Sequence, residues 1–257
     1  MSVTALIQAR MGSTRLPCKM LLSLHGLPVI DWVVRRTAKS RLLTRIVAAV
    51  PDTPLDDVLD AHLRARGVEV FRGPERDVLK RFAAAAEALI GAEPGALIVR
   101  VCADNPLIWG GEIDALIRRR QAEGSAPADY LYNHVPLNNR YPDGLGAEII
   151  SADLLRLLER KAVRPEHREH CLSYITDNAD AFTIRTFDPD DPRLHRPDVE
   201  LDLDTPEDFR KLALLPLHPD MEPADIVALF PKREDDDVSR SCTYPGNRRG
   251  NRCRSRQ

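Results

Sequence analysis

The sequence predicts an α/β fold with a mixed, mostly parallel sheet flanked by helices. Short apolar runs alternate with amphipathic stretches through the first half of the 257-residue chain, which is typical of successive βαβ units. A chain of this length can bury one substantial core, so we expect a single main domain. Hydrophobic residues make up 43% and charged residues 30%, which excludes a fibrous or wholly disordered chain.

Strands and helices alternate in order along the first half. Short runs rich in Val, Ile and Ala predict the strands, and apolar residues at helical spacing predict the helices between them. The predicted strands cover residues 4–8, 45–50, 69–71 and 96–102. The predicted helices cover residues 28–38, 55–66 and 78–90.

The second half departs from this alternation, and we expect a small inserted lobe over residues 129–185. The lobe is predicted to contain a strand at 148–150 and helices at 151–161 and 165–178. A further strand is predicted at 199–203, followed by a helix. Thr205 is the expected N-cap of that helix, because a proline and two acids follow it.

The C-terminal segment, residues 233–257, is predicted to be a disordered tail, so the folded domain should cover residues 1–232. Six arginines, no acid and almost no apolar residue stand in residues 239–257, and such a segment buries too little to offset the entropy of ordering. The tail could contact nucleic acid or an anionic membrane. A dispensable terminus is the favoured reading, and we expect no nucleic-acid partner.

The composition also predicts the cellular location of the protein. No apolar run approaches the roughly 20 residues that span a bilayer, and the N-terminus lacks a signal-peptide pattern, so we expect a cytoplasmic protein without a membrane span. The five cysteines are scattered and form no CxxC pair, which argues against a disulfide framework and a zinc ribbon.

A basic segment directly after the first predicted strand carries the strongest functional signal. Residues 7–21 read IQARMGSTRLPCKML, with three cations around Gly12 and Ser13. Glycine lets successive backbone N–H groups converge on an anion, and cations at this spacing can neutralise a polyphosphate. A solvated basic loop is the alternative. The three cations are Arg10, Arg15 and Lys19.

Carboxylates follow two of the later predicted strands. Asp104 stands just past the strand at 96–102, at the edge where open α/β sheets bind ligands, although a simple turn would also suit Asp-Asn-Pro. Asp202 and Asp204 are two residues apart, so in a strand both would face the same side and one cation. A solvated edge strand followed by a helix cap is the alternative.

Together these motifs resemble the cytidylyltransferases that make CMP-activated acidic sugars, most closely the spore-coat polysaccharide biosynthesis branch. Residues 9–19 match the opening motif of the family except at Cys18, where the family usually has glycine and where φ is expected to be positive. Residues 104–108 and 204–208 are similar to the family's two metal-binding segments. The resemblance covers about residues 3–215 and implies a Rossmann-like nucleotidyltransferase fold of the glycosyltransferase-A type.

The resemblance also implies a reaction and a set of site residues. The reaction is Mg²⁺-dependent transfer of CMP from CTP to an acidic sugar or phosphonate-type acceptor, with release of pyrophosphate. The implied catalytic residues are Arg10, Arg15, Lys19, Asp104 and Asp204. The implied metal ligands are Asp104, Asp204 and, as an assistant, Asp202. The implied nucleotide-binding residues are Ala9, Arg10, Met11, Gly12, Ser13, Arg15, Lys19, Arg72 and Arg100. The implied acceptor-binding residues are Asp143, Glu148 and Arg168, and the inserted lobe would also form a homodimer interface.

One departure and two alternatives qualify this reading. Gly146 stands where the family has an acid next to the acceptor, which leaves the acceptor open. A metal-dependent glycosyltransferase of the same architecture is the first alternative, because Asp202 and Asp204 could imitate its Asp-x-Asp motif. A non-catalytic nucleotide-binding relative is the second.

Overall fold

A seven-stranded sheet forms the centre of the computed structural model, which describes residues 1–91, 93–124 and 127–231. The strands are β1 (Val3–Gln8), β2 (Ser23–Leu24), β3 (Leu27–Pro28), β4 (Arg45–Pro51), β5 (Glu69–Gly73), β6 (Leu97–Cys102), β7 (Tyr130–Tyr132), β8 (Glu148–Ser151) and β9 (Ile184–Thr186). The sheet order is β5-β4-β1-β6-β8-β7-β9, while β2 and β3 form a separate ribbon. Within the large sheet, β8 pairs antiparallel with both neighbours and the other pairs are parallel, so the predicted mixed, mostly parallel sheet is confirmed.

Helices cover both faces of the sheet. They are α1 (Val29–Thr37), α2 (Asp57–Ala65), α3 (Val78–Ile90), α4 (Gly110–Ala122), α5 (Ala152–Lys161), α6 (Pro165–Glu169), α7 (Ser173–Asp177), α8 (Pro206–Leu214) and α9 (Pro223–Ala228). Alternate side chains of β1 enter different cores: Ala5 and Ile7 pack with α1 and α4, and Leu6 packs with α3 and α5. Two apolar layers therefore pack against the two faces of the sheet.

The predicted helix over residues 165–178 is wrong, because the chain forms the two short helices α6 and α7 instead. His170 ends α6 in a non-helical conformation, with φ −98° and ψ 82°. The break turns Cys171 and Leu172 into the apolar layer beneath α3 and α5. Burial of these two side chains thus outweighs the helical pattern of the segment.

The predicted strand at 199–203 is also wrong, since this segment makes only an isolated bridge between Asp143 and Glu200. Its backbone links two loops instead. The Leu201 N–H donates to the Asp143 carbonyl at 3.0 Å, and the Leu203 N–H donates to the Asp104 carbonyl at 2.7 Å. The segment consequently crosses the carboxyl edge of the sheet between these two aspartates.

The predicted lobe at 129–185 supplies β7, β8 and β9, which extend the central sheet. Its boundaries stay a prediction, and the predicted tail at 233–257 lies outside the described residues. Among the described residues, no helix combines the length and the apolar character needed to cross a membrane.

Thr205 caps α8 as predicted, within a reciprocal capping box. The Asp208 N–H donates to Thr205 Oγ1 at 3.2 Å, and the Thr205 N–H donates to Asp208 Oδ2 at 2.7 Å. The same Asp208 oxygen accepts from the Asp204 N–H at 3.1 Å. The cap thereby fixes the backbone of Asp204.

Replacing Thr205 tests this cap. Thr205→Ala should lower the free energy of unfolding by about 1 kcal/mol, because it leaves an N-terminal N–H of α8 without its acceptor. Urea unfolding measures the loss. Thr205→Ser keeps the hydroxyl and should stay near wild type, so equal losses in the two variants would contradict the role of the cap.

Candidate functional site

The basic segment at residues 9–19, here called the phosphate loop, leaves the carboxyl end of β1 and is anchored by Asp56. The Met11 N–H donates to Asp56 Oδ1 at 2.7 Å, and Thr53 Oγ1 donates to Asp56 Oδ2 at 2.6 Å. Asp56 is buried, so these bonds are shielded from water. Sequence reasoning missed this anchor; the Thr-x-x-Asp spacing ahead of α2 was the available signal.

A polar cavity of about 170 Å³ lies beside the phosphate loop. It joins the loop to the two carboxylates that follow β6 and the 199–203 segment. Of the predicted site residues, the cavity brings together six. The lining residues are Gln8, Arg10, Ser13, Thr14, Arg15, Lys19, Met20, Asp104 and Asp204.

Charged groups inside this cavity contact one another directly. The Lys19 ammonium lies 3.1 Å from Asp204 Oδ1 and 3.6 Å from Asp104 Oδ2, and it donates to the Leu203 carbonyl at 3.1 Å. Arg15 Nη2 donates to Asp204 Oδ2 at 2.7 Å. The Lys19 side chain is 10% exposed and the Arg15 side chain 65%. We call these four residues, Arg15, Lys19, Asp104 and Asp204, the Lys19 cluster.

The carboxyl groups of Asp202 and Asp143 interact electrostatically with the carboxylates of the cluster. Burial, and after it the charge of Asp204, raises the pKa of Asp202 to about 6. Burial, and after it the charge of Asp202, raises the pKa of Asp143 to about 7. These groups favour a positive charge nearby, because each one's ionisation is opposed by burial and by a neighbouring carboxylate.

Asp104 and Asp204 provide oxygen atoms, which are the ligands that a hard divalent cation prefers. They can supply only part of its coordination shell. Asp202 is not among the described residues that line the cavity with Asp104 and Asp204. Within residues 1–91, 93–124 and 127–231, no three His, Cys, Asp or Glu side chains are grouped so as to enclose a metal ion. Oxygens from a bound phosphate group would have to complete the shell, as is usual for Mg²⁺.

Cys18 has φ 57° and ψ 20°, which confirms the positive φ expected where the family has glycine. Gly12 is not among the described residues with positive φ, and its expected role in turning the loop stays a prediction. A Cβ on Gly12 would make only ordinary contacts, 3.6 Å from Glu75 Oε1 and 3.8 Å from Leu55 Cδ2. The left-handed turn of the loop is therefore at Cys18.

Arg100, which is half-buried, and Glu148, which is buried, form an ion pair next to the cavity. Arg100 Nε donates to Gln8 Oε1 at 2.9 Å, and Gln8 lines the cavity. Arg100 and the Tyr130 hydroxyl both donate to the Glu148 carboxylate. Burial opposes ionisation of Glu148, but Arg100, and to a lesser degree His134, outweighs it and lowers the pKa of Glu148.

A second cavity of about 210 Å³ is lined by both members of this pair. Hydroxyl groups and an imidazole line it together with Arg100 and Glu148. The Gln8–Arg100 hydrogen bond therefore stands between the two cavities. The lining residues are Arg100, Tyr130, Glu148, His170, Leu172, Ser173 and Thr176.

Two predicted site arginines are engaged elsewhere. Arg72 binds Asp57 and donates to the Thr53 carbonyl at 2.7 Å, so it ties β5 to the loop before α2. Arg168 donates to Asp77 Oδ2 from Nε at 2.9 Å and from Nη2 at 2.7 Å, and to the Glu159 carbonyl at 2.7 Å. Neither arginine is among the described residues that line the two cavities.

Gly146 has no room for the acid that the family carries. A Cβ there would lie 2.2 Å from Asn133 Oδ1 and 2.3 Å from the Asn133 carbonyl oxygen. Asn133 is buried, accepts from the Ala147 N–H at 2.9 Å and donates to the Glu112 carbonyl at 3.0 Å. Asn133, which sequence reasoning missed, thus occupies the space in front of Gly146.

Comparisons with known proteins show which family the chain resembles. A family model described as cytidylyltransferase matches residues 4–225. The spore coat polysaccharide biosynthesis protein SpsF of Bacillus subtilis is 32% identical over 239 residues, covering 90% of this chain and 94% of that protein.

Solved structures show the same fold. A cytidylyltransferase from Leptospira borgpetersenii superposes with a TM-score of 0.78 at 27% identity, covering 89% of this chain and 93% of that one. The CMP:2-keto-3-deoxy-manno-octonic acid synthetase complexed with CTP has a TM-score of 0.59 at 18% identity, covering 83% and 97%. The predicted Rossmann-like nucleotidyltransferase fold is therefore confirmed.

Cys18 offers a test of the loop's backbone. Cys18→Val should lower the free energy of unfolding by about 1 kcal/mol or more, because a β-branched side chain resists positive φ. Cys18→Gly should keep or raise stability, since glycine adopts this conformation freely. Thermal and urea unfolding measure both changes. A Cys18→Gly variant less stable than Cys18→Val would contradict the left-handed turn.

Gly146 offers a test of the packing against Asn133. Gly146→Ala should cost about 2 kcal/mol or more, because the added methyl group clashes with a buried carbonyl oxygen. Gly12→Ala is the matched control and should cost much less, since its methyl group would make only ordinary contacts. Similar losses in the two variants, measured by urea unfolding, would show that Asn133 moves aside.

Proposed function

The chain belongs to the cytidylyltransferase family, and from that premise we propose that it transfers CMP from CTP to an acidic sugar or phosphonate-type acceptor, releasing pyrophosphate. One observation carries the proposal. The cations of the phosphate loop share a single cavity with Asp104 and Asp204, although the chain separates these groups widely.

The phosphate loop is suited to hold the triphosphate. Arg10, Arg15 and Lys19 present three cations, and Ser13 adds a hydroxyl to the same cavity. The acceptor oxygen, after giving up any proton to a carboxylate or a water molecule, bonds to the α-phosphorus. The bond between that phosphorus and the oxygen it shares with the β-phosphate breaks, and pyrophosphate leaves with this oxygen. The cations stabilise the charge that builds on the departing phosphates, and Lys19 is our candidate for the α-phosphate.

Asp104 and Asp204, with Asp202 as an assistant, would hold a divalent cation at the inner wall of the cavity, and we propose Mg²⁺. When bound, such an ion neutralises phosphate charge and polarises the α-phosphorus. Asp104 and Asp204 support this proposal because both are hard oxygen donors and both line the same cavity.

The second cavity is our candidate for the acceptor. It adjoins the nucleotide cavity across the Gln8–Arg100 bond and includes Glu148. Its hydroxyl and imidazole groups suit a polyhydroxylated molecule. We keep Asp143 as a candidate for acceptor binding on the side that faces Asp202. Arg168 forms ion pairs with Asp77 and Glu159, which favour a structural role for this arginine.

We further propose that the protein is a homodimer in the cytoplasm, on the resemblance alone.

Removing either cavity carboxylate tests the reaction. Asp104→Ala and Asp204→Ala should each lower turnover by about 10² to 10³, as for loss of one charge-stabilising group. The assay measures pyrophosphate release from CTP over a panel of acidic sugars and phosphonates. Asp220→Ala, which breaks a surface carboxylate–lysine pair, is the matched control and should keep wild-type turnover.

Two outcomes would contradict this proposal. Wild-type rates in both cavity variants would remove the carboxylates from the mechanism. Release of a nucleoside diphosphate from a sugar nucleotide, without pyrophosphate release from CTP, would instead indicate a glycosyltransferase.

A further inference from the structure

Both carboxylate oxygens of Asp204 already have cationic partners within the protein. Oδ1 accepts from Lys19 at 3.1 Å, and Oδ2 accepts from Arg15 at 2.7 Å. The same Lys19 ammonium lies 3.6 Å from Asp104. A cation that needed these oxygens would therefore have to compete with two resident positive charges.

The two resident cations are held with different strength. The Lys19 side chain is 10% exposed, and the Leu203 carbonyl adds a third contact, so solvent weakens its attraction to Asp204 little. The Arg15 side chain is 65% exposed, and its ion pair is correspondingly screened. Lys19 is consequently the main competitor for the carboxylates.

A nucleotide triphosphate can remove both competitors at once. Its phosphates carry more negative charge than the carboxylates and bind arginine and lysine through short charge-assisted hydrogen bonds. Arg15 and Lys19 line the cavity with Arg10 and Ser13, so they can turn toward a ligand there without leaving it.

We propose that Lys19 and Arg15 are the resident counter-ions of Asp204, and that nucleotide phosphates draw them away and free the carboxylate for a divalent cation. The inference rests on the proposed function for the identity of the nucleotide. It makes cation and nucleotide binding strongly and reciprocally coupled, since each favours the same open arrangement of the Lys19 cluster. The free protein then binds a divalent cation weakly.

A fixed ion pair that only staples the phosphate loop to residues 203 and 204 gives the opposite prediction. Loss of Lys19 would then loosen the site and weaken cation binding. If Lys19 is a counter-ion, its loss removes the positive charge that competes for the carboxylates and so strengthens cation binding. The sign of the change separates the two.

The test is a titration of the nucleotide-free protein with Mn²⁺, with free Mn²⁺ followed by electron paramagnetic resonance. CTP chelates Mn²⁺, so this comparison is made without it. Lys19→Met should bind Mn²⁺ about tenfold more tightly than wild type, because it removes a charge from beside both carboxylates. Lys39→Met is the matched control: it frees Asp220 from its lysine at the surface and should leave Mn²⁺ affinity unchanged.

Arg15→Met is the second variant, and its exposed side chain makes folding safe to expect. It should tighten Mn²⁺ binding by a smaller factor than Lys19→Met. Adding Asp204→Asn to either variant should abolish the gain. Unchanged or weaker Mn²⁺ binding in both single variants, or equal tightening in Lys39→Met, would overturn the proposal.

The proposed function fails by a different result. If Lys19→Met binds Mn²⁺ more tightly but wild type releases no pyrophosphate from CTP, the counter-ion proposal is supported and the proposed reaction is contradicted. If wild type releases pyrophosphate from CTP but Lys19→Met does not bind Mn²⁺ more tightly, only the counter-ion proposal is contradicted. If the proposed function and the counter-ion proposal are both correct, Mn²⁺ should raise the affinity for CTP more in wild type than in Lys19→Met.

Discussion

The contact of Lys19 with residues 203 and 204 is the interaction on which the rest of the site depends. It joins the loop that leaves β1 to the segment that precedes α8, across a sequence separation of 184 and 185 residues. The contact is possible because β1 and β6 are neighbours, so the turns after both strands open on the same edge of the sheet. Without Lys19, the two carboxylates would still share this edge, but they would lack their least exposed counter-ion.

Several smaller devices hold the two sides of that contact. Asp56 fixes the phosphate loop through the Met11 N–H, and the α8 capping box fixes the Asp204 backbone. The Leu203 N–H bond to the Asp104 carbonyl sets the two carboxylate-bearing segments side by side. Each device satisfies a backbone N–H group, so the site is held largely by hydrogen bonds to the main chain.

Much of this arrangement could be predicted from local sequence. The strands β1, β4 and β6 could be predicted because their buried side chains make near-continuous apolar runs, whereas the two-residue strands β2 and β3 were not predicted. Thr205 was recognisable because a cap needs only its own first turn. Residues 199–203 could not be placed this way, because their partners are the loops at Asp143 and Asp104. The helix break at His170 likewise depends on an apolar layer formed by distant residues. Arg72 and Arg168 illustrate the same limit, since Asp57 and Asp77 determine what these arginines do.

The central claim is that the phosphate loop and the two carboxylates form one cation-bridged CTP site. Crystals of the protein with CTP and Mn²⁺, measured at the manganese absorption edge, test it most directly. The account predicts an anomalous peak in contact with Asp104 and Asp204, with the triphosphate bound by Arg10, Arg15 and Lys19. A nucleotide bound away from the phosphate loop, or a peak that neither aspartate contacts, would contradict it.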